Sequence, residues 1–399
     1  MPGPLDGIRI LDFTRYQNGP HASAMLSDMG ADVLKVELPG NGDPGRSLGR
    51  LPDGFCSYFE GNNRGKRSIT LDLRKPQAIE VIYKLVSQVD VVMENFRSGV
   101  MDALGLGYEE LRAHNERLIY GSTTGFGPIG EWSRRASFDH IAQGMSGALI
   151  AQGGGPGKEP QAVQWGLADQ SGSIVFAYGI MAALVARERF GAGQRVDASL
   201  LGSMMTVQNL TLANFLHTKH QEVREGAGGY NQAAFGWHEA GDGKWLTVGV
   251  LDPKDWPGLC RAIERDDLIT DERSADAFAR REHADWLLQE VKGTLLTQPR
   301  QYWLDRMLAE GVPCGPVLEY AEVLDEPQFW DNGYIVEVEH PHFEEYLSVG
   351  VPVRFSETPG AVQGPAPELG QHTEEVLLAL GYDWKEIERL HDERVTAAG

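Results

Sequence analysis

From residue 8 to residue 124, short β-branched apolar runs alternate with segments of helical spacing. IRILDF (8–13), ADVLKVE (31–37), SITLDL (68–73), DVVMEN (90–95) and RLIYGSTT (117–124) read as strands. GPHASAMLSDMG (19–30) and PQAIEVIYKLVSQ (76–88) fall between them as helices, the second opened by a proline that a first helical turn tolerates. Strands joined through helices of this length build a parallel sheet. The expected fold class is therefore α/β, with a large Rossmann-like domain on a parallel sheet and a smaller α/β domain. Ligands of such sheets gather at the carboxyl ends of the strands.

Residues 139–217 are mostly helical in pattern, broken by QRVDASL (194–200). The Gly-rich REGAGGYNQAAFG (224–236) reads as a linker, and KWLTVGV (244–250) as a strand. Helices are expected at 253–264, 276–296 and 299–310, with PCGPVLEY (313–320) extended. This divides the chain into a large domain begun by 1–215, a linker at 216–236, a small domain at 237–325, and a returning segment at 326–399. The return is expected because EEVLLALGYDWKEIERL (374–390) is amphipathic at helical spacing and needs a surface to cover.

Of the 399 residues 42% are apolar and 23% charged, the balance of a soluble globular protein. No uninterrupted apolar run of membrane-spanning length is seen, and MPGPLDGIRILDF lacks the pattern of an export signal. Cys56, Cys260 and Cys314 are odd in number and lack metal-ligand spacing, which favours a reducing, cytoplasmic location. A net charge of −21 disfavours nucleic acid as a partner. Against that background NNRGKRSITLDLRK concentrates Arg64, Lys66, Arg67, Arg74 and Lys75, which suits either a phosphate-bearing ligand or a solvated strand edge.

GFGPIG (125–130) satisfies G-x-G-x-x-G after a strand, but EWSRRASFD does not open an apolar helix, and Pro128 lacks an N–H to cradle phosphate. No nicotinamide or flavin is expected. His340, His342, His238 and Glu239 are the only hints of metal ligands and have no third partner at suitable spacing, so no metal is expected either. G-x-S-x-G, Walker A and H-E-x-x-H signatures do not occur. There remains Asp169, in WGLADQSG, at the mouth of the long apolar run SIVFAYGIMAALVARERF. It reads either as a helix cap or as a nucleophile that the helix N-terminus holds ionised.

Several segments together resemble a known family. LDGIRILDFTRYQNGPHASAMLSDMGADVLKVELPGNGD, NRGKRSITLDLRKP, ENFRSGVMDALGLGYEEL, GFGPIG, FDHIAQGMSG, LADQSG and GQRVDASLLGSM follow in the order of the class III CoA-transferases, also called CaiB/BaiF-like. The resemblance covers nearly all of 5–215 and, more weakly, the C-terminal part. It implies an interlocked-ring homodimer and a CoA transfer from an acyl-CoA donor to a carboxylic acid through an aspartyl-CoA thioester on Asp169. Gln17 matches the position beside the reacting carbonyl, and Asp139 an acidic position near the site. Arg74, Asn95, Phe96, Arg97, Val100 and Phe138 match CoA contact positions, with Leu71 beside the adenine. Two family arginines are replaced by Leu38 and Ala103, so Arg46 or Arg135 is expected to substitute for them. An α-methylacyl-CoA racemase is the alternative on the same fold, but its histidine position holds Phe138, with His140 two residues later. A catalytically silent CoA-binding protein is the third reading.

Overall fold

The computed structural model describes residues 2–224 and 233–397. Two compact units share the chain: Met1–Ile150, Gln161–Gln221 and Trp330–Gly399 form one, Ala151–Pro160 and Glu222–Phe329 the other.

In the first unit β1 (Arg9–Asp12) leads to α1 (Asn18–Asp28) and β2 (Asp32–Glu37), and α2 (Ser57–Asn63) precedes β3 (Arg67–Thr70). Helix α3 (Pro76–Val86) connects to β4 (Val91–Glu94), and α4 (Val100–Ala103) with α5 (Tyr108–His114) to β5 (Ile119–Thr124). Helices α6 (Asp139–Met145), α7 (Ala148–Gln152) and α8 (Leu167–Phe190) come before β6 (Arg195–Ser199), and α9 (Leu200–Val207) and α10 (Asn209–Thr218) after it. The six strands pair in parallel in the order β3-β2-β1-β4-β5-β6.

Side chains alternate across this sheet, so neighbours in sequence serve opposite cores. Ile10, Val33 and Val91 meet Leu26 of α1 and Phe176 and Ile180 of α8. Leu11, Leu34 and Val92 share a core with Val81 and Ile82 of α3 and with Val376 and Leu377 from the returning segment. Both faces are covered, as a parallel sheet requires.

In the second unit β7 (Phe235–Glu239), β8 (Trp245–Gly249) and β9 (Cys314–Pro316) form an antiparallel sheet. Helices α11 (Trp256–Ala262), α12 (Asp267–Thr270), α13 (Ala277–Glu282), α14 (Ala284–Leu295) and α15 (Arg300–Ala309) follow β8. Leu246 and Val248 are buried with Trp256, Leu287, Val291 and Trp303. Then come α16 (Tyr320–Asp325) and α17 (Pro327–Asp331), after which the hairpin β10 (Ile335–Glu337) and β11 (Leu347–Val349), α18 (Thr373–Ala379) and α19 (Trp384–Asp392) belong again to the first unit.

Several boundaries differ from the sequence expectations. The 374–390 helix is two helices, because Gly381 turns left-handed at φ 87° and a capping box of Asp383 and Glu386 starts α19 afresh. The 276–296 helix breaks at His283, and the segment from 253 opens with a 3₁₀ turn before α11. Strand β7 begins inside the segment read as a linker, of which residues 225–232 lie outside the described residues. Helix α8, where no spanning stretch was expected, is long and apolar enough by length and composition to cross a bilayer. Half of that stretch is buried, and Arg187 near its end is buried against Asp90 at 2.9 Å, which is the packing of a core helix.

Candidate active site

The strand order reverses between β1 and β4, where an open α/β sheet offers its ligand crevice. The segments leaving both strands line a cavity of about 620 Å³, together with Tyr58, Phe138 and Asp169. Gln17, Asn95, Phe96, Arg97, Phe138 and Asp169 are thus brought together from four stretches of sequence. A smaller cavity of about 220 Å³ collects Leu71, Arg74, Phe96 and Val100. Arg15 and Phe96 line both, with the Arg15 guanidinium 4.4 Å from the centre of the Phe96 ring. Larger grooves of about 860 and 990 Å³ run along residues 330–374; the second takes in Lys66, Arg67, His340 and His342, and neither holds Gln17 or Asp169.

Asp169 does not cap its helix. The N-cap of α8 is Gly166, left-handed at φ 68°, and Asp169 lies within the first turn. The cap comes from Asp139, whose Oδ1 accepts the N–H of Ala168 at 2.6 Å and of Asp169 at 3.2 Å. Gln143 holds the other Asp139 oxygen at 2.6 Å and braces Val163 through both its amide groups. Asp139 is buried and lines neither cavity, so it acts on the site from behind. Asn18 completes the support: its amide donates to the Asp169 carbonyl at 3.1 Å and its oxygen accepts from Thr123 at 2.8 Å. Gly172 permits this approach, since a Cβ there would lie 2.2 Å from the Asn18 nitrogen.

The electrostatics reverse the sequence expectation for Asp169. Burial, followed by the charge of Asp139, pushes its carboxyl up to about 7 from an ordinary 3.8. The helix N-terminus does not hold it fully ionised, because desolvation is the larger effect here. Burial and the Asp169 charge also raise the Tyr58 hydroxyl above its usual range. Gln17 donates to the Trp165 carbonyl over a long 3.4 Å, and a Cβ on Gly166 would come within 2.9 Å of the same amide. Tyr16 and Trp165, on either side of that contact, are both left-handed, at φ 66° and 68°. Such residues store about 1–3 kcal/mol each and cluster where function demands them.

The basic 64–75 segment is mostly spent inside the protein. Arg64 pairs with Asp28 at 2.6 Å, Lys66 with Asp12 at 2.9 Å, and Arg67 with Asp32 at 2.8 Å. Lys75 donates to the Glu393 carbonyl. Arg64 and Lys66 are thereby held by internal carboxylates and Arg67 by the exposed Asp32, whereas Arg74, paired with Asp72 at 2.8 Å, lines the small cavity beside Phe96. Arg46 is likewise clamped by Glu37 and does not replace the missing arginines, whereas Arg135 lines the larger cavity. Asn95 turns both ends of its amide to the Arg15 backbone rather than outward. His140 is exposed and does not line the Asp169 cavity.

Arg15, Asn18, Tyr58 and Thr123 are site residues that the sequence reading did not single out. Arg15 and Asn18 flank Gln17 in TRYQNG, a signal that was present, whereas nothing local marks Tyr58 or Thr123.

Residues 5–373 match CoA-transferase family III. The chain belongs to that family. It is 33% identical to the formyl-CoA:oxalate CoA-transferase of Rhodopseudomonas palustris over 98% of this chain and 97% of that one. It is 37% identical to the succinyl-CoA:mesaconate CoA-transferase of Haloarcula hispanica, over 95% and 97%. Its fold superposes on a CAIB/BAIF family protein from Brucella suis with a TM-score of 0.84 at 32% identity, covering 95% of this chain and 100% of that one. This family III CoA-transferase therefore uses CoA thioesters as substrates, and its relatives act as transferases.

Proposed function

We propose that this family III CoA-transferase moves CoA from a donor acyl-CoA to an acceptor carboxylic acid through a thioester on Asp169. The observation that carries the reading is a half-buried carboxylate on a doubly braced helix start, with no hydrogen bond to its own oxygens among the described residues. An Asp169 oxygen attacks the donor carbonyl carbon and CoA thiolate leaves, giving a mixed anhydride. The thiolate then attacks the aspartyl carbon and expels the donor acid. The acceptor carboxylate attacks the resulting aspartyl-CoA, and the freed thiolate takes the acceptor acyl group and restores Asp169. Desolvation makes the carboxylate a stronger nucleophile, and limited access protects anhydride and thioester from water.

In this reading Gln17 donates a hydrogen bond to the reacting carbonyl, and Asp139 positions Asp169. Arg74, Arg97 and Phe96 receive the nucleotide end of CoA, with Leu71 and Val100 bordering it. Short acids such as those in the relatives' names are the first acceptors to try. A homodimer is proposed on helix α10, which has no buried residue although Leu210 and Leu216 are 82% and 68% exposed. An apolar helix so exposed suits a second copy of the chain. The three free cysteines support a reducing, cytoplasmic setting. Incubation with donor acyl-CoA, trapping by hydroxylamine or borohydride, and peptide mapping should mark Asp169. Transfer at a near wild-type rate in Asp169→Ala would overturn the mechanism.

A further inference from the structure

Every backbone polar group from the Thr14 N–H to the Tyr16 N–H is held by a side chain. The Thr14 N–H donates to Asp12 at 2.9 Å, and the Thr14 carbonyl accepts from Lys35 Nζ at 2.7 Å. The Arg15 N–H and carbonyl are both bound by Asn95, each at 2.8 Å. The Tyr16 N–H donates to Asp43 Oδ1 at 3.0 Å. Lys35 and Asp43 pair with each other at 2.9 Å with almost no exposed surface. Asp43 also accepts the Gly45 N–H at 2.8 Å, and its own N–H is held by Glu37. Two buried charges are thus aimed at a three-residue turn; neither lines the cavity that contains Asp169, and both border the smaller one.

The turn carries a strained residue. Tyr16 sits at φ 66°, and the next residue is Gln17. A non-glycine residue keeps such a conformation only when its surroundings over-determine it. If Tyr16 relaxed to negative φ, Gln17 would swing away from the start of α8. We propose that the Lys35–Asp43 pair is a positioning device for the CoA-transfer reaction, which fixes Tyr16 left-handed and thereby aims Gln17 at the substrate carbonyl. This rests on the reading of Asp169 and Gln17 given above. Burial opposes the Asp43 charge, but Lys35 and the Tyr16 and Gly45 N–H groups outweigh it and keep the carboxyl below its usual range. The device is therefore charged throughout the neutral range.

The test is a double-mutant cycle on the full-length chain. Asp43→Ala removes the acceptor for the Tyr16 N–H, whereas Asp43→Asn keeps an oxygen in its place. For acyl-CoA with an acceptor acid, kcat should fall about 30-fold in Asp43→Ala and less than about fivefold in Asp43→Asn, with KM for acyl-CoA within about threefold. Glycine adopts φ near +66° without help. Measured from a Tyr16→Gly protein, the loss caused by Asp43→Ala should therefore shrink to less than about threefold. An equal loss in both backgrounds, or an equal loss for Ala and Asn, would overturn the proposal. If Asp43→Ala does not fold, the combination Lys35→Met with Asp43→Ala, which strands no buried charge, serves in the same comparison. Hydrogen exchange gives a readout independent of activity: amides 14–18 should exchange faster while β1 and β2 stay protected. Faster exchange throughout the sheet would show a merely structural pair. Transfer that survives Asp169→Ala would overturn the nucleophile reading, and the exchange result would still decide whether the pair holds the turn.

Discussion

The Asp139 carboxylate accepts the Asp169 backbone N–H at 3.2 Å, while its charge opposes ionisation of the Asp169 side chain. One residue thus fixes where Asp169, the proposed nucleophile, sits and when it is charged. Asp139→Asn keeps an acceptor for the helix start and removes the repulsion. The rate of transfer in the wild type should rise with pH through about 7, the Asp169 value, because attack needs the carboxylate. In Asp139→Asn that rise should move to lower pH, as kcat/KM profiles would show. A profile unchanged in midpoint would remove Asp139 from the control of Asp169.

The same group predicts a stability change of definite sign. The folded-state value of about 7 lies above the unfolded 3.8, so the folded protein binds this proton more tightly. The stabilisation is complete below about 4 and lost as pH rises through 7. Asp169→Asn carries no charge, so at pH 8 it should be more stable than the wild type by up to about 3 kcal/mol. The gap should close as pH falls from 8 towards 5, which thermal melts across that range would test. A variant less stable at pH 8 would contradict the assigned desolvation.

Among the described residues, Arg74 is the one cation of the 64–75 segment that lines the small cavity beside Phe96, where it is exposed next to Asp72. Arg74→Ala should raise KM for acyl-CoA several-fold and change kcat less, since phosphate binding is shared by ground and transition states. With an acyl-pantetheine, which lacks the nucleotide phosphates, variant and wild type should agree. An equal loss on both substrates would move the phosphate site elsewhere.

Sedimentation should show a species of roughly twice the 43.9 kDa chain mass, even at nanomolar concentration. Differently tagged dimers should not exchange subunits until they are denatured and refolded together, as expected of interlocked rings. Leu210→Asp with Leu216→Asp, which charges the bare face of α10, should yield poorly active monomers or aggregates. Rapid exchange of native subunits would exclude the linked arrangement.

The sheet was legible because buried parallel strands are apolar on both faces, and runs such as VVME and VLKVE admit few other structures. Asp169 and Gln17 stood out in the sequence because each lies in a segment that follows the family order, and the fold brings both to one cavity. The fate of the basic segment was not legible. Arg64, Lys66 and Arg67 look like a phosphate site until the fold brings Asp28, Asp12 and Asp32 to them from about 35–54 residues away. The capping role of Asp139 was hidden in the same way, since its partners lie 29 and 30 residues further along. Local periodicity also joined α18 to α19, although Gly381 and the Asp383 capping box separate them.

β3 is an edge strand, and residues 372–397 complete it. Ser68 and His372 bond to each other, Thr396 donates to the Thr70 carbonyl at 2.6 Å, and the Asp72 N–H meets the Val395 carbonyl. Thr70 and Thr396 are separated by 326 residues along the chain. On the ribosome, that strand therefore waits roughly 15–65 s for its cover at elongation rates of about 5–20 residues per second. Through that interval the nascent sheet presents unpaired N–H and C=O groups, which must be shielded from other strands. If two chains interlock as the family resemblance implies, a partner would have the same interval in which to pass before the edge closes.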